Sequence, residues 1–317
     1  MPDAPAVPEE VRDLLDQRAE ARASRDWSRA DAIRDELADL GWEVQDTAAG
    51  STARPILAPA TDPEAAGERL GDPASVPISI QVVADDHPDD LARLLRGLAA
   101  HPPSTAWELV IVANAPGFDL DLLLETVDLP VEPTVVASTA GRLGWADART
   151  LGMRRSRGEV TLLLDTSLEP TGDLAAPMLA AFDDPSVGLA GGWGVRSRDG
   201  RQFDEAPPGE VDAIEAYCLA VRREPLRAVG GFDRRYRYYR NADLDFSFAA
   251  RNAGWRAVRT EPLPVRRHEH RAYASLPDEE RDRLSRRNFY RFLDRWRDRP
   301  DLLLDADRSD PDRPDDR

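Results

Sequence analysis

The stretch GRLGWADARTLGMRRSRGEVTLLLDTS, residues 141–167, decides how most of this chain is read. Its second half contains Val160–Leu164, apolar except for one threonine and ending at Asp165. A run that short and that apolar predicts a strand covered on both faces. The preceding Ala146–Arg157 reads as a helix feeding that strand. Working outward, the same alternation recurs. Ile78–Val83 is a short apolar strand, Leu91, Leu94, Leu95 and Leu98 mark an amphipathic helix, Trp107–Ala113 is a second strand and Pro133–Ala137 a third. Strands alternating with helices at this spacing predict βαβ units and a mixed, mostly parallel sheet. Ligands bind beyond the carboxyl ends of such strands, and Asp165 stands at one of those ends.

The flanks have different textures. In the second half, Asp212–Val221 reads as a strand, Gly230-Gly231-Phe232-Asp233 as a turn and Asn241–Asn252 as a helix closed by Gly254. Trp255–Arg259 reads as a further strand, and Phe289, Phe292, Leu293 and Trp296 as the apolar stripe of a late helix. Residues 9–40 predict two helices. Val11, Leu14, Leu15 and Ala19 share a face of the first; Asp26 caps the second, on which Ala30, Ile33, Leu37 and Leu40 recur, and Gly41 closes it. The Gly-, Pro-, Ala- and Ser-rich residues 50–76 read as a linker. The expected organisation is a helical hairpin over 1–57, a linker over 58–75, an α/β domain over 76–299 and a disordered acidic tail over 300–317.

Bulk chemistry narrows the function. The 317 residues carry a formal charge of -17, and all 42 basic residues are Arg. That acidity argues against general nucleic-acid binding, which needs clustered positive charge, and against docking to an anionic membrane. The one cysteine, Cys218, sits in an apolar run and reads as a buried small residue; alone it makes no internal disulfide. The start, MPDAPAVPEEVRDLL, has no signal-peptide pattern, and no stretch approaches the roughly 20 apolar residues of a membrane span. A cytoplasmic protein without a transmembrane segment is the expectation.

Four segments in order resemble family 2 glycosyltransferases over about residues 76–299: the 141–167 stretch, AVRREPLRAVGGFD at 220–233, NADLDFSFAARNAGWRAV at 241–258, and His268-Glu269-His270. The resemblance implies a GT-A fold, Rossmann-like, that binds a nucleotide-sugar donor and transfers its sugar to a hydroxyl acceptor of unknown identity. RDWSRADAIRDELADLGWEVQDTAAGS, within residues 9–57, is similar instead to the C-terminal tail of cysteinyl-tRNA synthetases. The synthetase's HIGH and KMSKS motifs and zinc ligands are absent, so aminoacylation is not expected.

Sugar transfer from a nucleoside diphosphate builds negative charge on phosphate oxygens, which a divalent cation or arginines must neutralise. Mg²⁺ and Mn²⁺ favour carboxylate oxygens, so Asp165 is the expected ligand and donor contact. The resemblance adds His268, favoured over His270, to the metal set. Where the family repeats Asp, this chain has Ser167, a neutral and weaker ligand; Glu169 or Arg149 is positioned in sequence to compensate. Asn114 stands where the family's second strand ends in a base- or ribose-reading Asp, and Thr150 replaces the Asn of its helix motif. The donor-binding set is therefore Asn114, Arg149, Asp165 and Ser167. Inverting transfer needs a general base. The resemblance places it at Asp243, with Ala242 replacing the preceding Glu, and names Asp245 as runner-up. Spacing alone reads Asp243 equally well as a charge favourable to a helix's first turn, and Asp245 as a partner of the Arg234–Arg240 segment. Trp145 and Trp193, in Gly-flanked loops, suit either stacking on sugar or base, or core packing.

Three functions stay open on these residues: an inverting transferase in which a sugar lies between Asp165 and Asp243; a catalytically degenerate domain that binds nucleotide-sugar or acts as a scaffold, favoured by Ser167 and Ala113; and a tRNA-associated accessory protein, suggested by the first 57 residues.

Overall fold

The computed structural model describes residues 7–306, apart from 25, 41, 48–49, 56–67, 138–141 and 275. The expected Gly41 cap, most of the 58–75 linker, the Gly141 end of the diagnostic stretch and residues 307–317 of the tail lie outside the described residues.

The N-terminal segment forms helices Glu9–Ala23 and Trp27–Asp39, followed by strands Trp42–Thr47 and Gly50–Pro55 paired antiparallel. Asp26 Oδ1 accepts the Arg29 amide at 3.0 Å, the capping bond its side chain predicted. Val11, Leu14, Ile33, Leu37 and Trp42 make a small core of their own. Arg18 is buried and donates to Ser51 Oγ at 2.8 Å, tying the first helix to the second strand. The linker expected from residue 50 thus begins later: Gly-Ser-Thr-Ala composition resembles a loop, but its backbone completes a ladder opened by Trp42.

The larger domain is built on an eight-stranded sheet. Across it run Gly209–Val211, Arg256–Arg259, Val187–Gly191, Cys218–Arg222, Gly158–Leu164, Val76–Ala84, Trp107–Ala113 and Thr134–Ala137. The strands Gly158–Leu164, Val76–Ala84, Trp107–Ala113 and Thr134–Ala137 are mutually parallel. Cys218–Arg222 runs antiparallel between Gly158–Leu164 and Val187–Gly191. The sheet is therefore mixed, with a parallel half built from the expected βαβ units. Val160, Leu162, Leu163 and Leu164 are at most 1% exposed, as a strand covered on both faces requires. Helix Pro88–Ala100 lays Leu91, Leu94, Leu95 and Leu98 into the same core. Glycine is required where strands are crowded: a Cβ on Gly158 would lie 2.5 Å from the Ser79 amide nitrogen.

Asp212–Val221 is not one strand. It divides into the pair Ala213–Ile214 and the strand Cys218–Arg222, with Asp212 just after the separate strand Gly209–Val211. Asp212 is buried and accepts the Ser197 and Leu304 amides, both at 2.8 Å, and Glu215–Tyr217 leaves the ladder to form one wall of the site. The tail also begins later than expected. Pro300–Leu302 forms a 3₁₀ turn, and Leu302 and Leu303 pack with Phe248, Phe292 and Trp296. Arg251 Nε caps the Leu302 carbonyl at 2.8 Å.

Arg223 holds residues 69–72 against the sheet. Its Nη1 donates to the Ser156 and Gly158 carbonyls at 3.2 and 3.0 Å, and its Nη2 to those of Arg69 and Asp72. The side chain is 3% exposed, so its loss leaves buried acceptors without donors. Arg223→Ala is expected to lower the unfolding free energy by about 2–4 kcal/mol, measured by urea titration; a change within about 0.5 kcal/mol, the range of an ordinary surface substitution, would show that this clamp carries no stability.

Candidate active site

Asp165 follows the last residue of the central strand, and its surroundings keep it ionised. Oδ1 accepts the Ser167 amide at 2.9 Å and the Ser167 hydroxyl at 2.5 Å. Oδ2 lies 3.4 Å from His270 Nε2 and 3.6 Å from Arg149 Nη2. Burial alone would raise this carboxyl, but the hydrogen bond and charge of His270, the charge of Arg149 and the Ser167 hydroxyl hold it well below the usual range. Arg149 is itself buried, and donates to Gln81 Oε1 at 3.2 Å and the Leu164 carbonyl at 3.0 Å. Its guanidinium lies 5.8 Å from the Trp145 ring centroid, and that ring meets Phe232 edge-on.

These groups line a cavity of about 320 Å³ that also takes in Asp85, Asn114 and Arg142. Asn114 is engaged inward: Nδ2 donates to Asp85 Oδ1 and the Leu143 carbonyl, and Oδ1 accepts the Leu143 amide at 2.7 Å. It fastens the loop over the cavity rather than presenting a free amide. Asp85 is raised chiefly by burial, against the Asn114 hydrogen bond and the charges of Arg142 and Arg149. It escaped sequence reading, yet it ends the strand Val76–Ala84 as Asp165 ends its own, and the same carboxyl-end rule points to it.

The two histidines expected near the site are placed differently. His268 Nε2 pairs with Glu169 Oε2 at 2.7 Å, on the two-stranded ladder Val265–Arg267 with Leu168–Pro170. His270 is the histidine that reaches Asp165. Both follow the strand Val265–Arg267, and their side chains meet different carboxylates. Glu169, occupied by His268 and Arg266, does not replace the missing second carboxylate.

Asp243 lies in the first turn of the helix Ala242–Asn252, which Asn241 enters in the left-handed conformation at φ 65°. Asn288, fully buried on helix Asp278–Trp296, donates to the Tyr238 and Arg240 carbonyls at 2.8 and 2.9 Å and fixes that entry. Asp243 Oδ2 accepts the Ala216 amide at 3.1 Å. Burial raises its carboxyl, opposed by the Ala216 and Leu244 amides and by Arg240. Asp245 is elsewhere: it is 2% exposed and accepts from Arg295 Nη1 and Trp296 Nε1, each at 2.8 Å. It fastens the late helix through residues 295–296, and Arg235 of the 234–240 segment adds a favourable charge, so its carboxylate is committed to structural partners away from the Asp243 cavity.

Asp165 and Asp243 do not share one cavity. Asp243 faces a second, of about 420 Å³, with Glu215, Tyr217, Tyr239 and Arg240. The two cavities are neighbours. Tyr239 lines both, and its hydroxyl is hydrogen-bonded to that of Tyr217. Both rings pack on His270, with centroids 4.9 and 5.8 Å away. Successive residues tie the two aspartates to one wall: the Asp165 backbone amide donates to the Tyr217 carbonyl at 2.9 Å, and the Ala216 amide donates to the Asp243 carboxylate. Thr150 Oγ1 accepts the Phe232 amide at 3.0 Å and braces the Gly230-Gly231 turn. A Cβ on Gly231, at φ 114°, would lie 2.5 Å from Thr150 Cγ2.

Among the described residues, no group of three His, Cys, Asp or Glu side chains is placed to hold a metal. Asp165 Oδ2 and His270 Nε2 supply two ligand atoms of the right kind. Two suit an ion that takes its remaining oxygens from phosphate and water, as Mg²⁺ does. Cys218 is fully buried with its thiol pushed up to about 12 by burial, and has no part in the site.

Comparison with known proteins agrees with this architecture. Residues 79–217 match the family described as Glycosyl transferase family 2, and residues 4–54 that described as the cysteinyl-tRNA ligase anticodon binding domain. The N-terminal segment is 46% identical over 63 residues to Cysteine--tRNA ligase 1 of Burkholderia lata, covering 20% of this chain and 13% of that protein. It is 55% identical over 47 residues to Cysteine--tRNA ligase of Cutibacterium acnes, covering 15% of this chain and 10% of that protein. The chain thus spans only a small part of the curated relatives it matches. Among solved structures, GalNAc-T7 with UDP, GalNAc and Mn²⁺ superposes with a TM-score of 0.53 at 15% identity, over 70% of this chain and 48% of that one. The Pyrobaculum calidifontis mannosyltransferase PcManGT, in complex with GDP-Man and Mn²⁺, superposes at 0.52 and 19% identity, over 74% and 70%. No described helix is long and apolar enough to cross a membrane. Residues 79–217 thus match Glycosyl transferase family 2 within a mixed α/β fold of the GT-A type, and residues 4–54 match the cysteinyl-tRNA ligase anticodon binding domain.

Proposed function

We propose that this domain transfers a hexosyl group, with inversion, from a nucleoside-diphosphate donor in the Asp165 cavity to a hydroxyl acceptor in the Asp243 cavity. The carrying observation is the shared wall: residues 216 and 217 bind Asp243 and Asp165 in turn, and Tyr239 borders both cavities. The hexosyl reading draws support from the solved neighbours, whose ligands include GalNAc and GDP-Man. In one in-line displacement the acceptor oxygen bonds to the anomeric carbon, and the bond to the diphosphate oxygen breaks with its electron pair. The hydroxyl proton passes to Asp243. Burial raises the Asp243 carboxyl, which brings a general base closer to working pH. Asp165 and His270 would hold a divalent cation, Mg²⁺ or Mn²⁺, whose charge would offset that of the leaving diphosphate. The inward-turned Ser167 hydroxyl favours a second reading, a domain that binds donor without turnover.

A screen of UDP-, GDP- and dTDP-sugars with Mn²⁺ by thermal shift separates these. Donor-dependent Tm rise with transfer supports the enzyme; a rise without transfer supports the binder. The rise is expected to vanish in Asp165→Asn and weaken in His270→Ala, while His268→Ala keeps it; equal loss in the two histidine variants would return His268 to the site.

Asp243→Asn is expected to lower kcat by about 10²–10⁴-fold and leave the donor-induced Tm rise intact. Because the Asp243 carboxyl is raised, the acid limb of kcat/KM should have its midpoint above the ordinary value of 3.8, with activity rising as pH rises through it. Unchanged turnover in Asp243→Asn would remove that residue from the base role.

A further inference from the structure

The Asp243 cavity is rich in positive charge although the chain as a whole carries -17. Arg201, Arg240 and Arg286 line it, three cations against the two carboxylates Glu215 and Asp243. They converge from separate parts of the chain: the loop after the strand Gly194–Arg196, the approach to Asn241, and the helix Asp278–Trp296. None of the three guanidinium groups donates a hydrogen bond or closes an ion pair among the described residues. Arg240 feels the charges of Asp243, Glu215 and the neighbouring tyrosines without closing an ion pair. The arginines of the adjoining cavity behave differently, since Arg142 is bound to Asp86 and Arg149 to Gln81, the Leu164 carbonyl and Asp165. Unspent guanidinium forks fit the oxygens of a phosphate or carboxylate, two at a time. A neutral acceptor would leave all three facing water. Phe203 and Phe289 add apolar faces to the same cavity, suited to the ring of a sugar.

We propose that the acceptor is an anionic hydroxyl compound, its phosphate or carboxylate bound by Arg201, Arg240 and Arg286 while its hydroxyl faces Asp243. This rests on the reading of that cavity as the acceptor side. The three arginines are specificity determinants; the anion they bind is not the reacting group.

The test is titration calorimetry of the full chain with a hexose 6-phosphate, a hexuronate and the neutral hexose. The wild-type chain, Arg201→Ala, Arg240→Ala, Arg286→Ala, the triple variant and Arg286→Lys are compared. The anions are expected to bind and the neutral sugar not to. Each single alanine variant should weaken binding about tenfold, the worth of one charged hydrogen bond, and Arg286→Lys should recover part of the loss. The phosphate and carboxylate arms decide which anion the forks prefer. Nucleoside diphosphate binding, read on the same proteins by thermal shift, should stay within about twofold of wild type, because its cavity is the other one. No anion binding to the wild-type chain, equal binding by the triple variant, or equal binding of the neutral hexose overturns the inference. Loss of nucleoside diphosphate binding by the wild-type chain would instead sink the transferase reading beneath it.

Discussion

Asp165 is a carboxylate buried at the end of a central strand, and the site depends on how that charge is tolerated. Taking an ion out of water is costly unless partners replace its hydration. Here Ser167 satisfies one oxygen, while His270 and the buried Arg149 face the other. Each partner comes from a different element: Ser167 from the following turn, Arg149 from the helix Trp145–Arg155, His270 from the segment after Val265–Arg267. One charge thereby sets the position of three elements. Removing one member of a buried pair typically costs about 3–5 kcal/mol, so these elements are strongly coupled through Asp165.

That coupling extends to the second cavity through the backbone. The segment 215–217 leaves the sheet and offers an amide to Asp243 on one side and a carbonyl to the Asp165 amide on the other. The Tyr217–Tyr239 pair then forms a partition with His270 packed against both rings. A partition of two aromatic rings lets the cavities differ in charge. The first holds a buried carboxylate beside paired arginines, and the second holds unpaired arginines around a carboxylate of raised pKa.

The N-terminal segment has its own logic. Its core of Val11, Leu14, Ile33, Leu37 and Trp42 is small, and the strand pair Trp42–Thr47 with Gly50–Pro55 extends it. Small cores gain from every added strand and every satisfied buried charge, which explains why Arg18 reaches Ser51.

Periodicity and short apolar runs determined the parallel half of the sheet, the helix bearing Leu91 to Leu98 and the strand ending at Asp165, because burial on both faces leaves a local signature. The first-turn position of Asp243 was legible for the same reason. Contacts between distant segments left no such signature. Only the tertiary structure decided that His270 and not His268 meets Asp165, that Asp245 serves Arg295 and Trp296, and that residues 302–303 join a core. It also decided that Tyr217 and Tyr239 divide the site. Each of these depends on where a chain that has left regular geometry turns next, and that direction is set by partners roughly 50 to 100 residues away in sequence, beyond the reach of any local pattern.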